Sequence, residues 1–445
     1  MAPIARILVA MGHAVSGSDQ SWSSRLAELE RLGVAIRTGH DGAHVAGAEL
    51  VVASAAIPTT NPELVAAAEA GVPVVRRRAA LAALCALRRT VAVAGTHGKT
   101  TTTAMLVAVL TEAGLSPSFL VGGDLVGGAP SAAWRDGEWF VVEADESDGT
   151  FLDLGAECVV LTSVEPDHLD HHGSVEALRA AFTRFLVQAS GPRVVCSDDP
   201  GAAAVADGTP HLSYGTGPQA RFALRDVDLT GAGAAFTLVD GGTELGRLHV
   251  AMPGVHNARN AAGATVAALA LGAPFTAAAR GLGAFAGVAR RFEWRGGVGG
   301  VSFVDSYDHL PGEVAAAVAA ARHGDWKRIV CVFQPHRFTR TAALWQDFAY
   351  AFDGADVVAV TDVYAAGQEP IPGVTGKLVV DAVLDAAPGR RVAWLPRRRD
   401  VLSWLEAELR PGDLCLTLGA GDLTTVPDEA MALLERRAMA GPRGR

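Results

Sequence analysis

Short apolar runs alternate along the chain with longer Ala- and Leu-rich segments in which apolar residues recur at helical spacing. Short runs of Val, Ile and Leu are typical of buried strands, and strands separated by helices indicate an α/β fold with mainly parallel sheets. The pattern predicts three domains, over residues 1–89, 90–288 and 289–445.

The first segment begins with a helix, predicted over residues 4–11, and not with a strand. A short strand follows over residues 13–16, and then Gly17-Ser18-Asp19. In a Rossmann-like domain, an acidic residue after a strand holds a ribose or a pyrimidine. Such a domain opens with a strand and a glycine-rich turn, and neither precedes this helix. The segment is therefore predicted to be a Rossmann-like domain that lacks its first strand.

The second segment carries the most specific motif. A predicted strand over residues 90–94 is followed by Gly95-Thr96-His97-Gly98-Lys99-Thr100 and a helix that reaches about residue 114. The N–H groups of such a loop bind phosphates, the lysine reaches the terminal phosphates, and the threonine hydroxyl binds Mg²⁺. The full pattern has glycine at position 93, where this chain has Val93. A glycine-rich turn without a ligand is the alternative, but it does not explain the lysine.

Composition strengthens that interpretation. Only three of the 38 basic residues are lysines, so a lysine in this loop is conspicuous. A hydrophobic content of 49% with 19% charged residues argues against a disordered chain, and no long basic stretch indicates a nucleic-acid partner. Neither a membrane span nor a secretory signal is predicted. The five scattered cysteines are expected to be reduced in a cytoplasmic protein.

Acidic residues and a histidine follow the next two predicted strands. Glu143 comes after residues 139–142, from where a carboxylate reaches a Mg²⁺ on a neighbouring phosphate loop. The alternative is a solvated acidic turn, and for Asp145 and Asp148 the two interpretations stay open. His168 follows the strand over residues 158–162 and is predicted to serve a metal–phosphate site, in preference to a zinc cluster.

The third segment repeats the strand–helix alternation. Its strands are predicted near residues 301–304, 329–333, 357–361, 392–395 and 414–418. Arg291 at the start of this segment is suited to ATP phosphates, with a surface arginine as the alternative. Arg337 and Arg340, three residues apart on a helical turn, suit a carboxylate, with an exposed basic turn as the alternative.

In order and spacing, these motifs resemble the Mur ligase family. The resemblance rests on Gly95-Thr96-His97-Gly98-Lys99-Thr100-Thr101-Thr102, Glu143-Ala144-Asp145-Glu146-Ser147-Asp148-Gly149-Thr150-Phe151, Glu165-Pro166-Asp167-His168-Leu169-Asp170, His256-Asn257-Ala258-Arg259-Asn260 and Phe333-Gln334-Pro335-His336-Arg337. It implies a UDP-binding Rossmann-like domain, a central phosphate-loop ATPase domain with a mainly parallel sheet, and a C-terminal Rossmann-like domain. It also implies domain closure around the substrates.

The resemblance further implies an ATP- and Mg²⁺-dependent ligase of peptidoglycan synthesis. The implied substrates are UDP-N-acetylmuramate, through its lactyl carboxylate, and L-alanine, joined by way of an acyl phosphate. A ligase that adds a tripeptide to the same UDP-sugar is one alternative, and a catalytically weak nucleotide-binding homologue is another. A monomer or weak homodimer is expected.

Site roles follow from the resemblance, position by position. The residues implied to bind ATP are Gly95, Thr96, His97, Gly98, Lys99, Thr100, Thr101, Asn257, Asn260, Arg291 and Asp305. Those implied to bind metal are Thr100, Glu143 and His168. Those implied to bind the UDP-sugar or the amino acid are Ser18, Asp19, Ser147, Asp148, Tyr307, His309, His336, Arg337 and Arg340. A catalytic role is implied for Lys99, His168, Arg291 and Asp305.

The chain departs from the family pattern at three places. The family's opening strand and its Gly-x-Gly-Gly-x-Gly-Met turn are missing, which suggests a misassigned start codon or a shortened chain and puts UDP affinity in doubt. The usual Asp-Asp-Tyr-Gly-His-His-Pro-Thr-Glu reads Asp305-Ser306-Tyr307-Asp308-His309-Leu310-Pro311-Gly312-Glu313. Ser163 stands where the family commonly has asparagine. We expect the reaction class to be unchanged.

Overall fold

The protein is built from buried strands rich in β-branched residues and from the helices between them. Its computed structural model describes residues 1–439. The chain divides into two compact units. The first contains residues 1–225, 237–248 and 259–285. The second contains residues 226–236 and 249–258 and the chain from residue 286 onward.

The N-terminal segment has four short strands in two separate parallel pairs. Its elements are α1 (Ala2–Ala10), β1 (Ser16–Asp19), α2 (Ser24–Arg31), β2 (Ala35–Thr38), β3 (Val51–Ala53), α3 (Pro62–Glu69), β4 (Val74–Arg76) and α4 (Arg77–Cys85), with a 3-10 turn over Gly42–Val45. Strand β1 pairs with β2, and β3 pairs with β4. The N-terminal segment thus has two separate parallel pairs and not one continuous sheet, and the lack of a first strand stays a prediction.

Two details of this segment differ from the prediction or add to it. The first strand lies over Ser16–Asp19 and not over residues 13–16, so Asp19 ends the strand and does not follow it. Helix α1 is anchored by Ile4 and Ile7, which are buried in one hydrophobic cluster with Leu81 and Phe140. The segment therefore shares its core with the following sheet.

A ten-stranded sheet forms the middle of the chain. Its elements are β5 (Arg89–Ala94), α5 (Lys99–Glu112), β6 (Ser118–Leu120), β7 (Ala132–Ala133), β8 (Trp139–Glu143), β9 (Cys158–Leu161), α6 (Leu169–His172), α7 (Val175–Gln188), β10 (Arg193–Cys196), α8 (Pro200–Ala206), β11 (Leu212–Gly215), β12 (Phe222–Thr230), β13 (Gly233–Asp240), β14 (Thr243–Val250), α9 (Val255–Ala270) and α10 (Phe275–Gly283), with 3-10 turns over Val126–Gly128 and Thr150–Asp153. The strand order is β14-β13-β12-β11-β10-β9-β5-β8-β6-β7. From β12 to β6 in this order, each strand pairs in parallel with its neighbour. Strand β7, at the edge, pairs antiparallel with β6.

The C-terminal segment forms a six-stranded sheet. Its elements are β15 (Glu293–Val298), β16 (Val301–Ser306), α11 (Pro311–Ala321), β17 (Arg328–Phe333), α12 (Phe338–Leu344), β18 (Val357–Val360), α13 (Lys377–Ala386), β19 (Val392–Trp394), α14 (Arg398–Glu408), β20 (Asp413–Leu418) and α15 (Val426–Met439), with 3-10 turns over Trp345–Tyr350 and Asp422–Thr425. The order is β15-β16-β20-β17-β18-β19, antiparallel only at β15–β16.

Side chains alternate between two cores on the faces of this six-stranded sheet. In β17, Ile329, Cys331 and Phe333 belong to one cluster, and Val330 and Val332 belong to the other. Successive side chains of a strand point to opposite faces, so a continuous apolar run indicates a sheet covered on both sides. The doubly wound pattern predicted for this segment is confirmed.

The cysteines agree with the expectation of reduced thiols. All five are free and buried. Burial raises the pKa of the Cys85 thiol to about 12, so it stays protonated at neutral pH. Within residues 1–439, no helix combines the length and apolar character needed to cross a membrane.

Candidate active site

Three neighbouring strands, β5, β8 and β9, end at one edge of the ten-stranded sheet. Val93 of β5 pairs with Glu143 of β8, and Ala94 of β5 pairs with Leu161 of β9. Ligands of open α/β sheets bind outside the carboxyl ends of the strands. The loops that leave these strands carry most of the predicted phosphate and metal residues.

The phosphate loop lies between β5 and α5, and two of its glycines are required by their surroundings. Gly95 and Gly98 have positive φ angles of +136° and +78°. A Cβ atom would lie 2.8 Å from the Ser163 nitrogen at position 95, and 2.5 Å from Asn260 Oδ1 at position 98. Helix α5 therefore starts from a residue without a side chain, and its first-turn N–H groups lack a side-chain cap.

Lys99 folds back onto its own loop and contacts an acid. Its Nζ donates to the Gly95 carbonyl at 2.6 Å and to Glu146 Oε1 at 3.0 Å, and lies 2.9 Å from Glu146 Oε2. Burial lowers the pKa of Lys99, but Glu146 and two further carboxylates of the same segment raise it by more. The net pKa is above the usual value, so the lysine is a cation throughout the neutral range. Glu146 is a site residue that the sequence analysis missed.

The Glu143 carboxylate, at the end of β8, is held by the backbone of Gly122. The Gly122 N–H donates to Glu143 Oε2 at 2.8 Å, and a Cβ atom on Gly122 would lie 2.5 Å from the Glu143 Cδ. Burial raises the pKa of nearby Asp145, but Lys99 and hydrogen bonds from Ser147 lower it by more. Carboxylate oxygens and a hydroxyl such as that of Thr100 are ligands that Mg²⁺ prefers.

The segment after β9 braces the phosphate loop. The His97 N–H donates to Ser163 Oγ at 2.8 Å, and the Glu165 N–H donates to Thr96 Oγ1 at 2.8 Å. Ser163, which departs from the family's asparagine, therefore still supplies an acceptor to the loop. His168 follows with a φ of +52°, and its Nε2 lies 3.3 Å from Asp167 Oδ2.

Asn257 and Asn260, which are implied to bind ATP, lie at the start of α9, and both are buried. Asn257 Nδ2 donates to the Pro253 carbonyl at 2.8 Å. The Asn260 side chain occupies the space beside Gly98, where any larger residue would collide with it. Thr100 and Thr101, in the first turn of α5, are buried as well.

In the second unit, Asp305 is engaged by its neighbours. It is 1% exposed, and its oxygens accept hydrogen bonds from Thr417 Oγ1 at 2.7 Å and from Thr424 Oγ1 at 2.6 Å. Arg290 Nε donates to Asp305 Oδ2 at 3.3 Å. Asp305 thus anchors Arg290, the neighbour of Arg291, and its role in nucleotide binding stays a prediction.

The residues that are predicted to bind the amino-acid substrate form a cluster of aromatic rings with an arginine. The His309 ring lies 5.5 Å from that of Tyr307 and 5.2 Å from that of His336, and His336 stacks on Tyr364 at 5.9 Å. Arg340 Nη1 lies 2.9 Å from His336 Nδ1. The cluster combines cationic and aromatic groups, as a small amino acid with a carboxylate requires. Tyr364 is a member that the predicted residues did not include.

Arg337 joins this cluster through its backbone. It has a φ of +66°, and its N–H donates to the Tyr364 carbonyl at 2.8 Å. The Arg337 Nε is buried and has no hydrogen-bond partner among the described atoms. A buried donor in that state is costly, so a ligand that accepts from it would be favoured.

Ser18 belongs to a polar cluster in the N-terminal segment. Its hydroxyl donates to Glu63 Oε2 at 2.7 Å and lies 3.1 Å from His40 Nδ1, while His44 Nδ1 lies 2.8 Å from Glu63 Oε1. Burial raises the pKa of Glu63, but hydrogen bonds from Ser18 and His44 lower it by more. These partners are 22 to 45 residues from Ser18 in sequence, and a linear pattern gave no signal for them.

The remaining predicted substrate residues have mainly local contacts. Asp148 Oδ1 accepts from the Thr150 N–H at 2.9 Å, and the Ser147 N–H donates to Asp145 Oδ1 at 3.0 Å. Asp19 Oδ1 accepts from the Ser21 N–H at 3.4 Å. For Asp148, this contact supports the acidic-turn interpretation, and a substrate role stays a prediction.

The structure thus assembles two groups of predicted residues. In the first unit, the phosphate loop, Glu143, the segment with His168, and Asn260 surround the carboxyl edge of the ten-stranded sheet. In the second unit, Arg291 and Asp305 lie beside the aromatic cluster with His309 and His336. Fold and loop together define a phosphate-loop nucleotide-binding α/β protein.

Comparisons with known proteins identify the family. The models described as "Mur ligase family, catalytic domain", "Mur ligase middle domain" and "Mur ligase, glutamate ligase domain" match residues 1–89, 93–268 and 290–421. The chain belongs to the Mur ligase family. The predicted three-domain α/β fold is confirmed, and its exact boundaries stay predictions.

Relatives and solved structures extend the match over nearly the whole chain. A UDP-N-acetylmuramate–L-alanine ligase of Kineococcus radiotolerans is 50% identical over 98% of this chain and 94% of its own length. One from Acidothermus cellulolyticus is 45% identical over 98% and 93%. The crystal structure of UDP-N-acetylmuramate-alanine ligase MurC from Thermotoga maritima aligns with a TM-score of 0.80 at 26% identity, over 99% of this chain and 96% of that one. A murein peptide ligase from Psychrobacter arcticus, at 23% identity and a TM-score of 0.69, shows the shared fold alone.

Proposed function

We propose that this chain is the ATP-dependent ligase that joins L-alanine to the lactyl carboxylate of UDP-N-acetylmuramate in peptidoglycan precursor synthesis. One observation carries the proposal: relatives named for this activity match the chain from end to end at up to 50% identity. The phosphate loop with Lys99 supplies the chemistry that such a ligase needs.

The reaction requires a poor electrophile to be activated. A carboxylate oxygen of the lactyl group attacks the γ-phosphorus of ATP, the bond to the β-phosphate oxygen breaks, and ADP leaves. The amine of L-alanine then attacks the carbonyl carbon of the acyl phosphate, loses a proton, and inorganic phosphate leaves as the amide forms. Both steps bring anions together, so cationic groups provide most of the stabilisation.

The residues of the first unit fit a nucleotide and Mg²⁺. Gly95 and Gly98 let the loop pack closely against Ser163 and Asn260, with which a Cβ atom at those positions would collide. Lys99 would exchange Glu146 for the β- and γ-phosphates, and Thr100 and Glu143 would hold Mg²⁺, with His168 assigned to a second metal. When bound, the metal neutralises charge on the transferred phosphoryl group.

The second unit supplies the complementary groups. Arg291 would reach the phosphates, and the aromatic cluster with His309 and His336 would hold L-alanine. The buried Arg337 Nε and the nearby Arg340 guanidinium suit the alanine carboxylate.

An assay of ADP release tests the proposal and separates it from the alternatives. Wild-type protein should release ADP only when UDP-N-acetylmuramate and L-alanine are both supplied. Turnover with a tripeptide and none with alanine would instead identify a murein tripeptide ligase. Nucleotide binding without ADP release would identify a weak nucleotide-binding homologue. Repeating the assay on an N-terminally extended chain tests the prediction that the lack of a first strand limits UDP-sugar affinity.

Two substitutions test the site assignment. Lys99→Ala should abolish ligation, because the phosphates lose their positioning cation, and Lys377→Ala on an exposed surface should leave it unchanged. Arg337→Ala should mainly raise the KM for alanine. Near-wild-type turnover in Lys99→Ala would contradict the assignment.

Assembly and location complete the proposal. We place the reaction in the cytoplasm, which the five free, buried cysteines support. A monomer or weak homodimer stays our prediction.

A further inference from the structure

Tyr364 lies against the segment that carries His336 and Arg337. It pairs with His336 in a parallel β-bridge. The Tyr364 N–H donates to the Pro335 carbonyl at 2.8 Å, and the Arg337 N–H donates to the Tyr364 carbonyl at 2.8 Å. The rings of His336 and Tyr364 are nearly parallel, with an angle of 10° between their planes and 5.9 Å between their centres. The two rings therefore form one aromatic surface.

A further contact ties the segment of Tyr364 to the helix that carries Arg340. Gln368 Oε1 accepts a hydrogen bond from the Thr339 N–H at 3.2 Å, and Gln368 Nε2 donates to Thr339 Oγ1 at 2.9 Å. Thr339 and Arg340 both belong to α12. The backbone around Tyr364 is thus bound both to the segment with Arg337 and to the helix with Arg340.

The Tyr364 ring packs directly against the backbone of Gly421. A Cβ atom at Gly421 would lie 2.4 Å from Tyr364 Cγ and 2.5 Å from Gln334 Oε1. The loop of Gly421 is itself held in place, because Arg290 Nη2 donates to the Gly421 carbonyl at 3.2 Å and Gln334 Nε2 donates to Asp422 Oδ1 at 2.8 Å. The ring is therefore fixed between this loop and His336.

Part of the ring is open to a ligand, since Tyr364 is 37% exposed. In an α-amino acid, a single carbon atom separates the carboxylate from the side chain, so both groups lie close to whatever binds the carboxylate. Arg340 Nη1 lies 2.9 Å from His336 Nδ1, and His336 stacks on Tyr364. A carboxylate bound at Arg340 therefore brings the substituents of the α-carbon next to these two rings.

We propose that Tyr364 is a specificity-determining residue that limits the size of the amino-acid side chain, a role that rests on the proposed function. The ring is held by Gly421 on one side and by His336 on another, so it cannot yield to a branched or longer side chain. Tightly packed groups that cannot move aside make overpacking unfavourable. The methyl group of L-alanine is small enough to avoid this collision.

The amino-acid preference of Tyr364→Ala tests the proposal. The assay measures kcat/KM by ADP release with glycine, L-alanine, L-valine and L-leucine, at saturating ATP and UDP-N-acetylmuramate. Tyr364→Ala should reduce the preference for L-alanine over L-valine by about tenfold or more, since a methylene-sized difference in a pocket is worth about 10- to 200-fold. Tyr364→Phe keeps the ring and should keep the preference. A merely structural loss would lower kcat/KM for all four amino acids alike.

Gly421→Ala moves the same ring without altering it. The φ of Gly421 is −95°, which alanine adopts, so the effect of the added methyl group is the contact with Tyr364. The ring is displaced toward its exposed side, and kcat/KM should fall more for L-alanine than for glycine. Gly389→Ala, in the same unit and with nothing within 4 Å of the added Cβ atom, is the matched control and should leave the ratio unchanged.

Two results overturn the proposal: an unchanged preference for L-alanine over L-valine in Tyr364→Ala, or a Gly421→Ala variant with the same ratio as Gly389→Ala. If wild-type protein releases no ADP with UDP-N-acetylmuramate and L-alanine, the proposed function fails. Equilibrium dialysis of wild type and Tyr364→Ala with L-alanine and L-valine then decides the role of Tyr364. Equal ratios of the two affinities in both proteins, or no binding of either amino acid, would exclude that role.

Discussion

At the scale of single residues, the pair formed by Lys99 and Glu146 determines the charge of the phosphate loop. The lysine that we propose binds the phosphates is paired with an acid whose side chain is 2% exposed. Buried ion pairs are sensitive to the loss of one partner, since the remaining charge then lacks compensation. Glu146 therefore raises the pKa of Lys99 and favours its charged form.

Replacing Glu146 should shift the pH dependence of the enzyme. Glu146 is the largest contribution that raises the pKa of Lys99, while burial lowers it. In Glu146→Gln the lysine pKa falls, so the cation is lost at lower pH. The alkaline limb of the kcat/KM profile for ATP should move to lower pH. Glu165→Gln, at a more exposed acid, serves for comparison, and an alkaline limb that does not move would contradict the role of Glu146.

Gly122 allows a second test at the residue scale. In Gly122→Ala the new methyl group would overlap the Glu143 carboxylate, which must then leave its place at the end of β8. We expect a loss of ligation of about tenfold or more, since small displacements of positioned groups cost that much, and a raised Mg²⁺ requirement. The control is Gly389→Ala, where nothing lies within 4 Å of the added Cβ atom. Equal Mg²⁺ dependence in both variants would count against Glu143 as a metal ligand.

At the scale of elements, the strands of the phosphate-loop edge were predictable because each is a buried apolar run that ends at a glycine or a polar residue. Strand β5 was predicted over residues 90–94 and lies over Arg89–Ala94. Strand β8 was predicted over residues 139–142 and lies over Trp139–Glu143, one residue longer. Burial on both faces makes such runs continuous, and the change to polar residues marks their ends.

Other elements could not be predicted in this way. Strands β12, β13 and β14 over residues 222–250 mix exposed and buried positions, and their apolar runs are at most three residues long. The partners of Ser18 and Lys99 were equally hidden, because Glu63 and Glu146 reach them across 45 and 47 residues. Local motifs identify the residue that bears the chemistry, whereas its partner depends on the tertiary fold.

The contact between α10 and α5 gives a prediction for the helix that carries the phosphate loop. A Cβ atom at Gly281 of α10 would lie 3.0 Å from the Val109 Cα of α5, and a backbone atom cannot move aside as a side chain can. Gly281→Val should destabilise the protein by about 1–3 kcal/mol through overpacking. Gly283→Val, on the same helix with nothing within 4 Å, controls for the loss of glycine. Denaturant unfolding measures the free energy of unfolding of both variants. Equal free energies of unfolding would contradict the close contact at Gly281.

At the scale of the whole molecule, two compact units divide the chemistry. The phosphate loop belongs to the first unit, and Arg291 with the aromatic cluster belongs to the second. Both nucleotide substrates are anions, whereas the chain carries a net charge of −10. Under the proposed function, local cations such as Lys99 and Arg291, and not the overall charge, would attract the substrates.

Calorimetry should reveal this division. We expect more than one unfolding transition, since chains with several units commonly depart from two-state behaviour. Mg-ATP at about 100 times its Kd should stabilise the unit that contains the phosphate loop by about 2.7 kcal/mol. Lys99→Ala should lose this ATP-dependent shift and keep the other transition. A single transition that ATP raises equally in both proteins would contradict the expectation.

The scarcity of lysine has a practical consequence. Lys327 and Lys377 are exposed and belong to the second unit, whereas Lys99 is enclosed by its own loop and Glu146. Amine-directed dyes, biotin or activated resins should therefore couple, beyond the chain's amino terminus, at two surface positions distant in sequence from the phosphate loop. Its arginine-dominated surface makes this protein a natural candidate for site-limited bioconjugation without mutagenesis.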